Sequence, residues 1–151
     1  MLKQDDFVRS KLVEVGWRFG QAYQGGHVCG QMVMSVIANR QKAGWGNWLN
    51  IIDGIPSFMA EAELPPLKYP QSLWDGAFVK LLHAVDGIFE GSAQDLSKGA
   101  LYFADSNKIE RPWFKEKIIQ PVDAFGQKHY NIVANMNNIM FFGQNRDFKA
   151  Y

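Results

Sequence analysis

At 151 residues the chain can bury one sizeable core but not two, so a single domain over 1–151 is the expectation. Its 47% hydrophobic and 21% charged residues exclude a disordered tail. A net charge of +1, from 16 basic and 15 acidic side chains with no Lys/Arg run, excludes a protein that tracks a phosphate backbone, so nucleic acid is not an expected partner.

Asp5 or Asp6 is placed to cap a first helix in which Phe7, Leu12, Val15 and Phe19 recur at nearly three-and-four spacing until Gly20. After Gly25 and Gly26, the run Met32, Val33, Val36 and Ile37 is apolar on most sides of a second helix that ends near Asn39-Arg40, which predicts a central buried element. Gly44-Trp45-Gly46 marks a turn, 47–52 a short helix, and Gly54-Ile55-Pro56-Ser57-Phe58 a break. Pro65, Pro66 and Pro70 predict a surface loop of the kind that walls a groove. Ser72 is placed to cap a third long helix with an apolar stripe of Trp74, Phe78, Leu81, Leu82, Val85, Ile88 and Phe89, stopped at Gly91.

The last third changes character. Gly99-Ala100-Leu101-Tyr102-Phe103-Ala104 and Asn138-Ile139-Met140-Phe141-Phe142 read as aromatic strands able to pair, with a short helix over 112–119 that has Pro112 in its first turn and Pro121 beyond its end. The expected class is therefore α+β, mostly helical, with a small antiparallel aromatic sheet in the C-terminal third. Aromatics make up 14% of the chain, with five Trp, five Tyr and eleven Phe. They supply a bulky core, a row of faces for stacking on sugar rings, or both.

The order of these features resembles the germination-type (SleB-type) cell-wall hydrolases, whose lysozyme-like fold also occurs in phage wall-lytic proteins. Gly30-Gln31 and Asn39-Arg40 stand where that family has Gly-Gln opening and Asn-Arg closing the second helix. Pro56-Ser57-Phe58 is the nearest counterpart of its Gln-Phe-Ser segment. Gly99-Ala100-Leu101-Tyr102-Phe103 resembles its Gly-Ala-(aromatic) strand, Pro112-Trp113 its Pro-Trp pair, and 138–142 its closing aromatic strand. The resemblance covers most of the chain and implies a lysozyme-like domain that acts on peptidoglycan glycan strands, as a glycosidase or lytic transglycosylase, without a cofactor.

Such chemistry needs a carboxylic acid with a raised pKa within reach of the glycosidic oxygen. The resemblance puts this acid at Gln21 or Ala22, neither of which is one, while Gln21 can still hydrogen-bond a sugar. Glu61 and Glu63 on the Pro-rich loop are the substitute acids, against the plain alternative of solvated loop carboxylates. Asp105 either positions a water or caps the turn with Ser106 and Asn107, and Glu14 reads as a surface charge. Gln21, His27, Phe58, Tyr102 and Trp113 are the candidate substrate-binding residues, with His27 alternatively capping the second helix.

No metal site is expected, because His27, His83 and His129 have no ligand spacing, and Cys29 reads as a buried inert thiol. The Gly25–Gly30 stretch lacks the Lys-Ser/Thr ending of a phosphate loop. Met1 to Asp6 lacks the basic-then-apolar build of a secretory leader, and no apolar run approaches the roughly 18 residues of a membrane span. The expectation is a virion-associated protein, or one made in the host cytoplasm and delivered to the wall. A second expectation, of another class, is an inactive lysozyme-like structural component of a phage virion or tail.

Overall fold

A computed structural model describes residues 2–22, 26–53, 76–109, 112–136 and 138–149. Helices α1 (Leu2–Ala22), α2 (Gly26–Lys42), α3 (Trp48–Asp53) and α4 (Gly76–Glu90) come first, followed by strand β1 (Tyr102–Asp105). A single 3-10 turn over Ser106–Lys108 leads on to α5 (Pro112–Phe114), which continues as a π-helical turn over Lys115–Ile119. Strands β2 (Tyr130–Met136) and β3 (Ile139–Gln144) follow. The three strands pair antiparallel in the order β1-β3-β2. The described chain is thus mostly helical α+β with its sheet in the C-terminal part.

Helix α2 is the hub, as its all-round apolar pattern predicts. Met32, Val33, Met34, Val36 and Ile37 are all buried, between α1 and α4. Helix α1 contributes Leu12, Val15 and Phe19, together with Val8, Val13 and Trp17. It starts at Leu2, so Asp5 and Asp6 lie inside the helix instead of capping it, and it runs past Gly20 to Ala22. Phe7 is 51% exposed, a correction to its place on the predicted core face. Asn47 caps α3, its side-chain oxygen accepting the Asn50 N–H at 2.9 Å. Gly91, at φ +77°, stops α4 in the left-handed conformation that glycine adopts without steric cost. The expected cap at Ser72 and the stripe residue Trp74 lie outside the described residues, and Leu82, assigned to the same stripe, is 42% exposed.

The sheet is covered on both faces. Phe103, Ile139 and Phe141 face the helical core, with Phe103 edge-on to Phe19 at 5.2 Å. Ala104 and Phe142 face α5, where Phe114 and Ile118 complete a second cluster. Alternate residues of β1 and β3 therefore enter two different cores, which is why both strands read as unbroken apolar runs. The strand begins at Tyr102, since the chain is still turning over 96–99, with Gly99 at φ +83°. Strand β2 has no counterpart in the pattern of aromatic runs: it is an edge strand with Asn131 and Ile132 exposed, and a bulge between Ile132 and Ala134 breaks its alternation.

Helices α1 and α2 cross where neither has a side chain. A Cβ added to Gly30 would lie 2.5 Å from the Gly16 carbonyl oxygen and 2.8 Å from Leu81 Cδ2, so the α1 backbone itself would have to retreat. Gly30→Ala is expected to cost about 2 kcal/mol through overpacking, and to lower the melting temperature by roughly 4–8 °C in a thermal circular-dichroism scan. An unchanged melting temperature would mean that the helices do not approach this closely.

Candidate functional site

The last turn of α2 fixes the segment that leads into the sheet. Asn39 Nδ2 donates to Asp95 Oδ2 at 2.9 Å and to the Ala100 carbonyl at 3.0 Å, with Ser97 Oγ at 3.3 Å. Asp95 in turn accepts from the Ser97 N–H (2.9 Å), the Ser97 hydroxyl (2.6 Å) and the Gly99 N–H (2.8 Å). Burial pushes the Asp95 carboxyl up, but these hydrogen bonds to its ionised form outweigh that and hold it below its ordinary value. Beside it, the fully buried Arg40 donates Nε to the Leu101 carbonyl at 2.7 Å. Its guanidinium carbon lies 5.2, 5.8 and 5.7 Å from the ring centres of Trp45, Tyr102 and Phe103. Burial pulls the Arg40 pKa down to about 10, which leaves it charged at neutral pH. Asn39-Arg40 and Gly99–Tyr102, read separately in the sequence, form one clamp, and its chemistry is structural.

The candidate ligand-binding residues divide between two regions. Gln21 is exposed in the last turn of α1, and His27 is half-buried in the first turn of α2, so both flank the α1–α2 corner. The Gln31 side-chain amide lies 2.9 Å from His27 Nδ1, a hydrogen bond whose direction follows the His27 tautomer. Burial, and then the positive charge of Lys80, hold the His27 pKa below its ordinary value. Tyr102 packs instead on Arg40, which lies thirteen positions beyond His27, about 20 Å along the α2 axis. Trp113, 37% exposed, belongs to α5 on the opposite face of the sheet from the helical core. Tyr102, in β1, and Trp113, in α5, are thus removed from the corner that carries Gln21 and His27. Phe58, Glu61 and Glu63 lie outside the described residues, as does the side chain of Ala22.

The described carboxylates named as candidate acids have other partners. Asp105 accepts the Asn107 N–H at 2.9 Å and so caps its turn. Glu14 lies 3.7 Å from Lys11 and 3.4 Å from Arg18 on the α1 surface. Asp123 is pushed up by burial but held below its ordinary value by the N–H groups of Gln127, Lys149 and Phe125. Downward shifts at Asp95 and Asp123 are the opposite of what a general acid needs.

Among the described residues, two large clefts open beside α4. One, of about 590 Å³, lies against α1 over the edge-to-face pair Trp17 and Phe78, with Phe7 and Leu82 on its rim. The other, of about 470 Å³, lies between α2, α4 and the 92–96 segment and is walled by Gln31, Lys80, His83, Ser92 and Gln94. Through Gln31 this second cleft joins the corner that carries His27 and Gln21. In the sequence Gln31 stands only in the Gly30-Gln31 motif, and neither Lys80 nor His83 is singled out as a ligand-binding residue. The usable signal was the three-residue spacing of Lys80 and His83, which sets both on one face of α4.

Among the described residues no cluster of three or more His, Cys, Asp or Glu is placed to hold a metal, and no helix is long and apolar enough to cross a membrane. Comparison with protein-family models, with curated proteins and with solved structures finds no match to this chain.

Two outcomes follow from these geometries. Asp95 is held below its unfolded value of 3.8, so its contribution to stability is present above that pH and is lost as the pH falls through the lower folded value. In urea melts, Asp95→Ala should cost about 2 kcal/mol at neutral pH, and its deficit relative to the parent should narrow below pH 3.8. A deficit that stays constant down to acid unfolding would mean that the charge is not what the clamp uses. Cys29 is fully buried, its thiol reaching the Phe19 carbonyl at 3.7 Å and pushed by burial to a pKa of about 12. It should react with a thiol-specific reagent only in denaturant; rapid labelling of the native protein would contradict its place in the core.

Proposed function

We propose that this chain is a peptidoglycan-directed protein of the phage wall-lytic kind, with the α1–α2 corner gripping the glycan strand. The observation that carries the reading is the exposed Gln21 in the last turn of α1, one of the two positions, Gln21 or Ala22, where the family resemblance expects the proton donor. The close crossing at Gly30 and the Asn39-Arg40 clamp support it, because the motif residues then perform one job together, holding α1, α2 and the sheet in register. Gln21 offers amide hydrogen bonds to a sugar but no proton. Any cleavage of the bond between N-acetylmuramic acid and N-acetylglucosamine then rests on Glu61 or Glu63. One of them would protonate the glycosidic oxygen, while water or the muramyl hydroxyl attacks the anomeric carbon.

The alternative is an inactive lysozyme-like component of a virion or tail. What favours it is the amide at the acid's position together with the downward pKa shifts of Asp95 and Asp123. Both readings are separated by turbidity loss and product analysis on purified peptidoglycan with the parent, Gln21→Glu, Glu61→Gln and Glu63→Gln. A wall-lytic enzyme predicts parental activity that one of the Glu→Gln variants lowers by roughly 100-fold or more, the usual contribution of a general acid. Activity that appears only in Gln21→Glu would mean a glycan-binding corner that lacks just its donor. A parent that neither binds nor thins peptidoglycan, with Gln21→Glu equally silent, would overturn the wall-directed reading in favour of the structural one.

A further inference from the structure

The cleft between α2 and α4 has a one-sided chemistry. Its polar wall consists of Gln31, Lys80, His83, Ser92 and Gln94, and among the described residues no carboxylate lines it. Neighbouring acids are turned elsewhere: Asp86 pairs with Arg9, and Asp95 is engaged by Asn39, Ser97 and Gly99. Lys80 pairs with no carboxylate among the described residues. The wall therefore presents an ammonium group, an imidazole, a hydroxyl and two amides around a concavity of about 470 Å³ with Ala84 and Leu96 as apolar surface. That donor-rich set suits an oxygen anion with a small apolar attachment. His27 holds the Gln31 amide at 2.9 Å, so the cleft begins where the α1–α2 corner ends.

We propose that this cleft binds a carboxylate of the wall peptide, the acidic branch carried by a glycan strand lying over Gln21 and His27. The inference rests on the wall-directed reading and adds the part of the wall that the second site takes. A glycan backbone built from neutral sugar rings offers Lys80 no charge to meet, whereas the peptide branch does. An ammonium at the lip steers the anion, and the amide and hydroxyl donors fix its orientation.

The test uses the whole chain and two soluble probes, N-acetylmuramyl-L-alanyl-D-glutamate and the neutral tri-N-acetylchitotriose, followed by NMR at the His83 ring and the Gln31 side-chain amide. Pelleting with insoluble peptidoglycan is measured in parallel. Lys80 is exposed, so Lys80→Glu should keep the parental melting temperature. The expected result is that the acidic probe shifts both signals and that Lys80→Glu weakens its Kd about tenfold or more, while affinity for the neutral trisaccharide stays within about twofold. Unchanged affinity of Lys80→Glu for the acidic probe, with the parent still pelleting with peptidoglycan, would overturn the carboxylate site and leave the wall-directed reading standing. A parent that shows neither shifts nor pelleting would overturn both.

Discussion

The buried Arg40 guanidinium, with Nε on the Leu101 carbonyl and the rings of Trp45, Tyr102 and Phe103 around it, joins the helical body to the sheet. A charge removed from water is costly, and here the Leu101 carbonyl accepts from Nε while three aromatic rings lie within 6 Å of the guanidinium carbon. Asn39, one residue earlier, ties the same segment through Asp95 and the Ala100 carbonyl. Strand β1 is thereby fixed at its start, β3 pairs along it with Phe103 opposite Phe141, and β2 pairs along β3. The position of the aromatic sheet against α1 and α2 follows from two adjacent residues at the end of one helix.

What the sequence made legible is what depends on local pattern. The all-round apolar run of α2, the stripe of α4 up to Gly91 and the two aromatic strands each carry a period or a stop signal within a few residues. Illegible were features set by tertiary context. Strand β2 leaves Asn131 and Ile132 exposed and is bulged near Val133, so its identity comes from pairing with β3 and not from its own alternation. Asp5 and Asp6 look like caps, but nothing local tells that α1 already begins at Leu2.

The candidate site was legible in part for the same reason. Chain order groups Gln21 with His27 across a short connection, and the fold keeps them at one corner. Tyr102 and Trp113 were grouped with them by chemistry alone, yet strand alternation sends Tyr102 towards the α5 side and the Arg40 rings. The polar cleft of Lys80, His83 and Gln31 needs two helices side by side, and no single segment announces it. The aromatic excess resolves mainly into two cores, one on each face of the sheet, with Phe19, Phe103 and Phe141 in the first and Phe114 and Phe142 in the second.

The most direct test of the account is a crystal structure of the protein with a tetrasaccharide of alternating N-acetylglucosamine and N-acetylmuramic acid that bears its peptide stems. The account predicts sugar rings across the α1–α2 corner, in hydrogen-bond reach of Gln21 and His27, with a stem carboxylate beside Lys80. Sugar density on the sheet side at Trp113, or a corner occupied by nothing while the ligand sits elsewhere, would contradict it.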